Sequence, residues 1–282
     1  MNHVIVGLIN KKRRMAVFLS RLMDKKSWSI KDSASKLSFE TAGGGNWDEW
    51  DRYISIEGKK AFHIGNICGT CEFFFERLDG ANQGISPKVV STALQEGISK
   101  LDDEFLSKVS LILPNGEYEV SLIEANPKLV DLGKEEDYFS NEQIQVWGED
   151  EFWGLPHYPK IQYYRSLTKE LTHKSKLFEF VVPTFPVHWL NEGTVDKYKS
   201  LISDGSRPAA LCLSVLDIKE PADYEAHTDH PQHWCLTHYV VDGHHKIFSA
   251  SLLNKPITLL SFLAKKECIA DEKDIQELFR SF

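Results

Sequence analysis

Alternating hydrophobic and polar positions in the second half of the chain predict strands separated by helices. Residues 177–182 alternate as a strand, and residues 209–216 and 234–241 are longer apolar runs typical of buried strands. Apolar residues at helical spacing predict a helix at 194–203, which ends at an Asp-Gly stop. The order of these segments predicts an α+β unit that begins near residue 175.

The first half shows a different mixture of patterns. Residues 11–25 carry apolar positions at helical spacing and predict a basic amphipathic helix, and residues 164–174 predict a second, short basic helix. Two alternating segments around Glu57-Gly58-Lys59 predict a hairpin over 53–64, whereas the polar, glycine-rich residues 33–48 predict a loop. Together they indicate a mixed α/β arrangement of unknown type.

The fold prediction is therefore α+β in two domains, an N-terminal one over residues 1–175 and a C-terminal one over 176–282. A chain of 282 residues with 42% hydrophobic content can bury two such cores. No apolar run approaches the length of a transmembrane helix. The apolar stretch at 4–9 is followed rather than preceded by basic residues, which is the wrong order for a secretory signal.

Charge and cysteine content limit the classes of function. The net charge of −8 and pI of about 5.8 argue against a broad nucleic-acid-binding surface, although residues 11–14 form a local basic patch. The five cysteines have no disulfide-scaffold spacing, which favours a reducing, cytoplasmic setting. We therefore expect a cytoplasmic protein without a membrane partner.

Cys68 and Cys71 form a Cys-x-x-Cys motif after a predicted strand and before a predicted helix start at 72–75. A helix N-terminus lowers the pKa of the first thiol and would suit redox chemistry. The same pair can supply two ligands of a Zn²⁺ site, although a second Cys-x-x-Cys is missing from the sequence. The third interpretation is two small buried residues beneath an aromatic segment.

Residues 239–246 are typical of a strand entering an Asp-Gly turn at the start of a helix. Free N–H groups and the macrodipole make such an N-terminus an anion site, and a glycine lets a phosphate approach the backbone. The structural alternative is a surface turn with solvated polar side chains. The candidate phosphate ligands are Gly243, His244, His245 and Lys246.

A polar insert before this turn is rich in histidine, since six of the eleven histidines lie between 227 and 245. His227, His230 and His233 offer ligands for Zn²⁺ or Mn²⁺, though their spacing matches no strong zinc signature. A lid over a bound nucleotide and a solvated loop are the other interpretations. His238 lies within the following strand and is interpreted as a core histidine.

The order of elements over residues 177–265 resembles the ParB/sulfiredoxin-like domain. Val-Val-Asp-Gly-His-His-Lys at 240–246 is most similar to the branch with Asp-Gly-His-His-Arg, which includes free serine kinases. Sulfiredoxin carries its catalytic cysteine where this chain has His244, so its chemistry is not expected. Lys246 replaces the arginine of the motif, which removes bidentate phosphate recognition.

The resemblance implies a nucleotide, ATP or ADP with Mg²⁺, whose phosphates lie on residues 243–246. It also implies a general base at the start of the helix, where Glu192 stands, and a metal- or acceptor-orienting role for Asp242. Phosphoryl transfer requires both charge neutralisation and a positioned carboxylate. We therefore expect a small-molecule phosphotransferase with a hydroxyl acceptor such as serine.

Two other functions remain open. One is a nucleotide-switched interaction protein or a nuclease like other members of the resembled family, although the acidic composition argues against direct DNA contact. The other is a zinc- or thiol-dependent protein in which Cys68 and Cys71 carry the chemistry. The position of these cysteines relative to Glu192, Asp242 and His244 distinguishes a single shared site from separate sites.

Overall fold

A computed structural model describes residues 20–85, 87–152, 154–222 and 230–282 of the chain. These residues form both helices and sheets, so the α+β class is confirmed. The strands are β1 (Arg21–Ile30), β2 (Leu37–Gly44), β3 (Trp47–Ile56), β4 (Lys59–Asn66), β5 (Glu76–Arg77), β6 (Gly116–Ala125), β7 (Lys128–Leu129), β8 (Tyr164–Glu170), β9 (Ser175–Val182), β10 (Ala209–Lys219), β11 (Gln232–Asp242) and β12 (Ile257–Ala264).

The helices are short, and they connect or cover the strands. No helix within the described ranges is long and apolar enough to cross a membrane. The α-helices are α1 (Ser91–Glu96), α2 (Asp103–Ser110), α3 (Glu142–Trp147), α4 (Glu192–Ser203), α5 (His244–Leu253) and α6 (Glu272–Ser281).

Eight strands form one mixed sheet in the order β1-β6-β12-β10-β11-β9-β8-β7. Strand β10 is parallel to β12 and antiparallel to β11, whereas β9 is parallel to β11. Val182 at the end of β9 lies in register with Tyr239, three residues before β11 ends at Asp242. The chain segments that leave β9 and β11 therefore start side by side at one edge of the sheet.

A second, antiparallel sheet in the order β2-β3-β4-β5 covers one face of the large sheet. Ile54 and Phe62 share a hydrophobic cluster with Leu213 of β10, and the Phe62 ring lies 5.0 Å from that of Tyr239. The opposite face holds α5 and α6, because alternate residues of β10 such as Cys212 pack in the cluster that contains helix residues. The large sheet is thus the middle of three layers.

The predicted boundary near residue 175 coincides with the first residue of β9. Strand β9 pairs with β8 from the N-terminal side of this boundary and with β11 from the C-terminal side. Likewise β12 lies between β6 and β10. One sheet therefore contains strands from both predicted domains, and the division of the chain into folding units stays a prediction.

The helix predicted over 11–25 is wrong for residues 21–25, which belong to β1; residues 11–19 lie outside the described ranges. Leu22 and Met23 pack in clusters on opposite faces of the sheet, which is the alternation of a strand. The loop predicted over 33–48 is also wrong, because residues 37–44 form β2. Antiparallel pairing with β6 and β3 overrides the local signal in these segments.

The helix predicted over 164–174 is wrong as well, since residues 164–170 form β8 and pair with β9. The segment 72–75 is not helical but leads into β5, with Phe73 and Phe75 buried. Tertiary pairing again outweighs helical spacing in a segment this short. Confirmed elements are the hairpin at 53–64, the strands at 177–182, 209–216 and 234–241, and the helix at 194–203.

Candidate functional site

A pocket of about 440 Å³ lies at the edge where β9 and β11 end. Three chain segments line it: residues 81–85 from the small-sheet side, residues between 184 and 198 that come after β9, and residues 241–246 at the end of β11. Clefts outside the carboxyl ends of parallel strands are common ligand sites. The predicted turn at 243–246 is thus part of the lining of this pocket.

Gly243 lets the chain turn from β11 into α5 against the start of β10. Its φ of 111° lies in the left-handed region, and an added Cβ would come within 2.6 Å of the Ala210 Cβ. The first intrahelical bond runs from the Ile247 N–H to the Gly243 carbonyl at 2.9 Å. The N–H groups of the helix before Ile247 therefore have no intrahelical acceptor and could donate hydrogen bonds to a phosphate.

His244 is held as a neutral ring under the turn. Its Nε2 accepts a hydrogen bond from the Thr184 N–H at 3.0 Å, and its ring stacks on Phe185 with centroids 4.0 Å apart. Burial lowers the pKa of His244 to about 3. Because Nε2 is an acceptor, the proton resides on Nδ1. His244 therefore contributes an N–H donor and no positive charge.

His245 connects the two helices at the pocket. Its Nε2 accepts from the Asn191 N–H at 3.0 Å, at the N-cap of α4. Burial lowers the pKa of His245, and the nearby Asp242 carboxylate opposes this shift. His245 thus accepts a hydrogen bond as a neutral ring and fixes the start of α4 against the start of α5.

Lys246 is almost fully buried, and its ammonium group is already bonded. Nζ donates to the Ala209 carbonyl at 3.0 Å and to the Asp242 carboxylate at 2.9 Å. Asp242 lines the pocket and keeps part of its carboxylate exposed. The charges of this pair cancel, so the positive character of the turn comes chiefly from backbone N–H groups.

Glu192 lies at the rim of the pocket rather than on its wall. It is the exposed first residue of α4, and it is not one of the residues that line the cavity. Its neighbour Asn191 caps the helix by accepting the Thr194 N–H at 2.9 Å and also bonds His245. The predicted base is therefore one residue away from a direct contact with the turn.

Sequence reasoning missed Trp189, which lines the pocket, and Arg77, which bonds two of the lining residues. Arg77 donates through Nε to the Thr184 carbonyl at 2.8 Å and through its terminal nitrogen to Asn82 Oδ1 at 2.6 Å. Its guanidinium also lies 5.6 Å from the ring of Trp189, which is 53% exposed. Residues 184–189 could have been found by assuming that β9 and β11 run parallel. Parallel strands end at the same edge of a sheet, so the segments that follow them lie close together.

Cys68 and Cys71 are joined by a disulfide on the turn after β4. Lys219, the last residue of β10, donates to the Cys68 carbonyl at 2.6 Å. Ala209 at the other end of β10 contacts the pocket through Lys246. The cysteine pair and the pocket therefore lie at opposite ends of an eleven-residue strand. A disulfide offers no thiolate to a metal, so Zn²⁺ binding by this pair would require its reduction.

Two of the three predicted histidine ligands, His230 and His233, lie within the described residues. His227 lies outside the described residues. His233 is buried in an aromatic cluster, its Nδ1 accepts from the Tyr138 hydroxyl at 2.8 Å, and burial lowers its pKa to about 3. His230 lies 3.8 Å from Glu170. Within the described ranges no group of three or more histidine, cysteine or acidic side chains is placed to hold a metal ion.

His238 is a fully buried core histidine, as its strand position predicted. Its Nε2 lies 3.2 Å from Glu179 and its Nδ1 lies 2.7 Å from the hydroxyl of Ser214. This serine–histidine–glutamate chain has the residue types of a hydrolase triad. All three side chains are inaccessible and none lines the pocket, so they form a structural hydrogen-bond network across the sheet.

Residues 242–246 line the pocket, Glu192 lies at its rim, and the pair Cys68 and Cys71 lies elsewhere. Comparison of the chain with protein-family models, with curated proteins and with solved structures found no match. The function is therefore argued from the geometry of this pocket.

Proposed function

We propose that the pocket binds a nucleotide and that the protein is a small-molecule phosphotransferase. The observation that carries this proposal is the position of the pocket at the N-terminus of α5, behind a glycine packed against Ala210. A phosphate there would accept hydrogen bonds from the N–H groups of the 243–246 turn. The similarity of residues 177–265 to the ParB/sulfiredoxin-like domain supports the same assignment for the C-terminal part.

The pocket wall is suited to an aromatic base. Phe185 and Trp189 lie on it, with ring planes 17° apart and centroids separated by 6.4 Å. Stacking of a base on such side chains contributes about 1–3 kcal/mol and tolerates any base. The side-chain amides of Asn82 and Gln83 are also on the wall and can accept and donate hydrogen bonds.

Asp242 is the carboxylate that lines the cavity, so it would hold Mg²⁺ together with the phosphates of ATP or ADP. Bound Mg²⁺ would neutralise phosphate charge. Lys246 would exchange part of its contact with Asp242 for a phosphate oxygen. Glu192 at the rim would accept the proton of a small hydroxyl acceptor, of which serine is the example suggested by the resemblance.

Tryptophan fluorescence of the full chain tests binding directly, because Trp189 lies on the wall and is half exposed. Titration with ADP and Mg²⁺ should quench the emission and raise the melting temperature. Trp189→Phe should lose the quench, whereas Trp47→Phe, which removes another exposed tryptophan, should retain it. If neither ADP, ATP nor inorganic phosphate alters fluorescence or melting temperature at millimolar concentration, the proposal is wrong.

A further inference from the structure

The disulfide loop between β4 and β5 provides hydrogen-bond donors to one of its two sulfurs. The Cys71 N–H donates to Cys68 Sγ at 3.0 Å, and the Thr70 hydroxyl lies 3.5 Å from the same atom. Both cysteines are only half-buried. Donors aimed at a sulfur stabilise its thiolate over its thiol, so they favour Cys68 as the ionised sulfur once the bond opens.

The buried ammonium group of Lys219 holds this loop through hydrogen bonds to Asn66 and Cys68. Lys219 is fully buried, and Nζ donates to the Cys68 carbonyl at 2.6 Å and to both oxygens of Asn66 at 3.2 and 3.3 Å. The Asn66 side chain in turn accepts the Cys68 N–H at 3.1 Å. Burial lowers the pKa of Lys219 to about 8, so the group is still largely protonated at neutral pH. Its positive charge adds to the stabilisation of a Cys68 thiolate.

The other three cysteines lie where burial opposes the thiolate, even though the Leu216 N–H donates to Cys268 Sγ at 3.2 Å. Cys212 and Cys235 are completely buried, and burial raises the pKa of both thiols. Burial also raises the pKa of Cys268 to about 12. Only the thiolate is the nucleophile in exchange reactions, so these three thiols are inert by comparison. Among the five cysteines, we therefore expect Cys68 and Cys71 to be the ones that react in thiol–disulfide exchange.

We propose that Cys68 and Cys71 are a redox-active pair that exchanges two electrons with dithiols, with Cys68 as the thiolate and Thr70 and Lys219 as positioning residues. A thiolate of the dithiol attacks Cys71 Sγ, the Cys68–Cys71 bond breaks, and its electron pair stays on Cys68. The second thiol of the dithiol gives up its proton and attacks the mixed disulfide. The dithiol leaves as a disulfide, and Cys71 leaves reduced and takes up a proton.

The distance of the pair from the pocket makes this reaction independent of nucleotide binding. Oxidised full-length protein, free of nucleotide, is equilibrated with graded ratios of reduced to oxidised dithiothreitol, quenched with acid and labelled with a maleimide for mass spectrometry. We expect two thiols to appear together at one midpoint, reversibly and with an unchanged circular dichroism spectrum. The double variant Cys68→Ser/Cys71→Ser, which retains the other three cysteines, should show no transition.

The positioning roles are tested by the pKa of Cys68 in the reduced protein, followed through thiolate absorbance. Thr70→Val and Lys219→Met should each raise this pKa, Lys219→Met by about one unit. Thr70 is exposed on its loop, so its variant is expected to fold, and Thr41→Val at an exposed position of β2 is the matched control. A pair that opens only on unfolding, or a reduced pair that binds one Zn²⁺ per chain and resists reoxidation, would overturn the proposal.

Discussion

Nζ of Lys246 lies 2.9 Å from a carboxylate oxygen of Asp242, four residues earlier at the end of β11. The buried cation nearest the start of α5 thus has an anionic partner before any ligand binds. In the proposed site, an incoming phosphate would compete with this carboxylate for the ammonium group and would be repelled by the carboxylate's negative charge. The pair would therefore lower phosphate affinity, and it is the first place to test the proposed assignment of the pocket.

Asp242→Asn should increase affinity for inorganic phosphate and ADP measured without Mg²⁺, because one negative charge leaves the pocket and Lys246 is released. We expect roughly a three- to tenfold gain, on the order of 1 kcal/mol, by isothermal titration calorimetry. The same substitution should abolish phosphoryl transfer with Mg²⁺ present. Asp196→Asn on the exposed side of α4 is the control and should change neither quantity. A weaker phosphate affinity in Asp242→Asn would contradict the assignment.

Gly243→Ala should destabilise the protein and remove nucleotide binding. The methyl group would meet Ala210 at 2.6 Å in addition to the strain of a left-handed residue, and we expect a loss of about 3 kcal/mol in urea unfolding. Gly205→Ala is the matched control, since its φ of 93° imposes the same strain in open space. That variant should lose only about 1 kcal/mol and bind normally. Equal losses in both would show that the contact with Ala210 is unimportant.

Stability should fall as the pH drops below 6.5, because His233 and His244 have folded-state pKa values lowered to about 3. The unfolded chain binds these protons below 6.5 and the folded protein does not until about pH 3, so the free energy of unfolding rises with pH across this window. Each histidine should cost about 2 kcal/mol between pH 6.5 and 5.

The measurement is urea unfolding at pH 5 and pH 7.5 for the native chain and for His233→Gln, which retains an acceptor for the Tyr138 hydroxyl. The pH dependence should decrease by about one proton in this variant. His188→Gln alters an exposed histidine and should leave the dependence unchanged. An unaltered slope in His233→Gln would mean that His233 is protonated in the folded protein.

The ion pair between Arg52 and Asp217 should be a main determinant of the docking of the small sheet on the large one. Arg52 donates to Asp217 at 3.0 Å with both side chains buried. Arg52→Met or Asp217→Asn should each cost about 3–5 kcal/mol of unfolding free energy, because each leaves a buried charge or polar group unpaired. The double variant Arg52→Met/Asp217→Asn should lose less than the sum of the two single losses.

The control for the buried Arg52–Asp217 pair is the exposed pair Lys108–Glu104 on α2. Lys108→Met should cause no measurable change in unfolding by urea, since solvent screens such surface pairs. Strictly additive losses at Arg52 and Asp217 would show that the two side chains do not act together.

Elements whose pattern is set by their own residues could be predicted from the sequence, whereas elements that depend on pairing with distant strands could not. The apolar runs of β10 and β11 were recognisable because strands buried on both faces are hydrophobic throughout. The segment that forms β8 was assigned as a helix because its strand character comes from pairing with β9, which is not visible locally. The aromatic residues after Cys71 likewise suggested a helix, whereas Phe73 is buried in a non-helical segment.

The part of the candidate pocket that one continuous segment forms could be recognised in the sequence. Asp242 and Gly243 were recognisable from the turn that begins α5, because a strand, an Asp-Gly pair and a helix directly succeed one another. Trp189 lines the pocket and Arg77 bonds two lining residues, Thr184 and Asn82, but both come from distant parts of the chain and carry no local signal. The neutrality of His244 also depends on tertiary structure, because it results from burial beneath Phe185.

Residues 81–85, which form one wall of the pocket, come from the chain between β5 and α1, far from the other walls in sequence. A fragment limited to residues 176–282 would lack this wall and would expose the edges of β9 and β12, which pair with β8 and β6. Such unpaired edges promote aggregation. Residues 177–265 therefore depend on the first half of the chain for covered strand edges and for a complete pocket wall, and recombinant work on the turn requires the whole polypeptide.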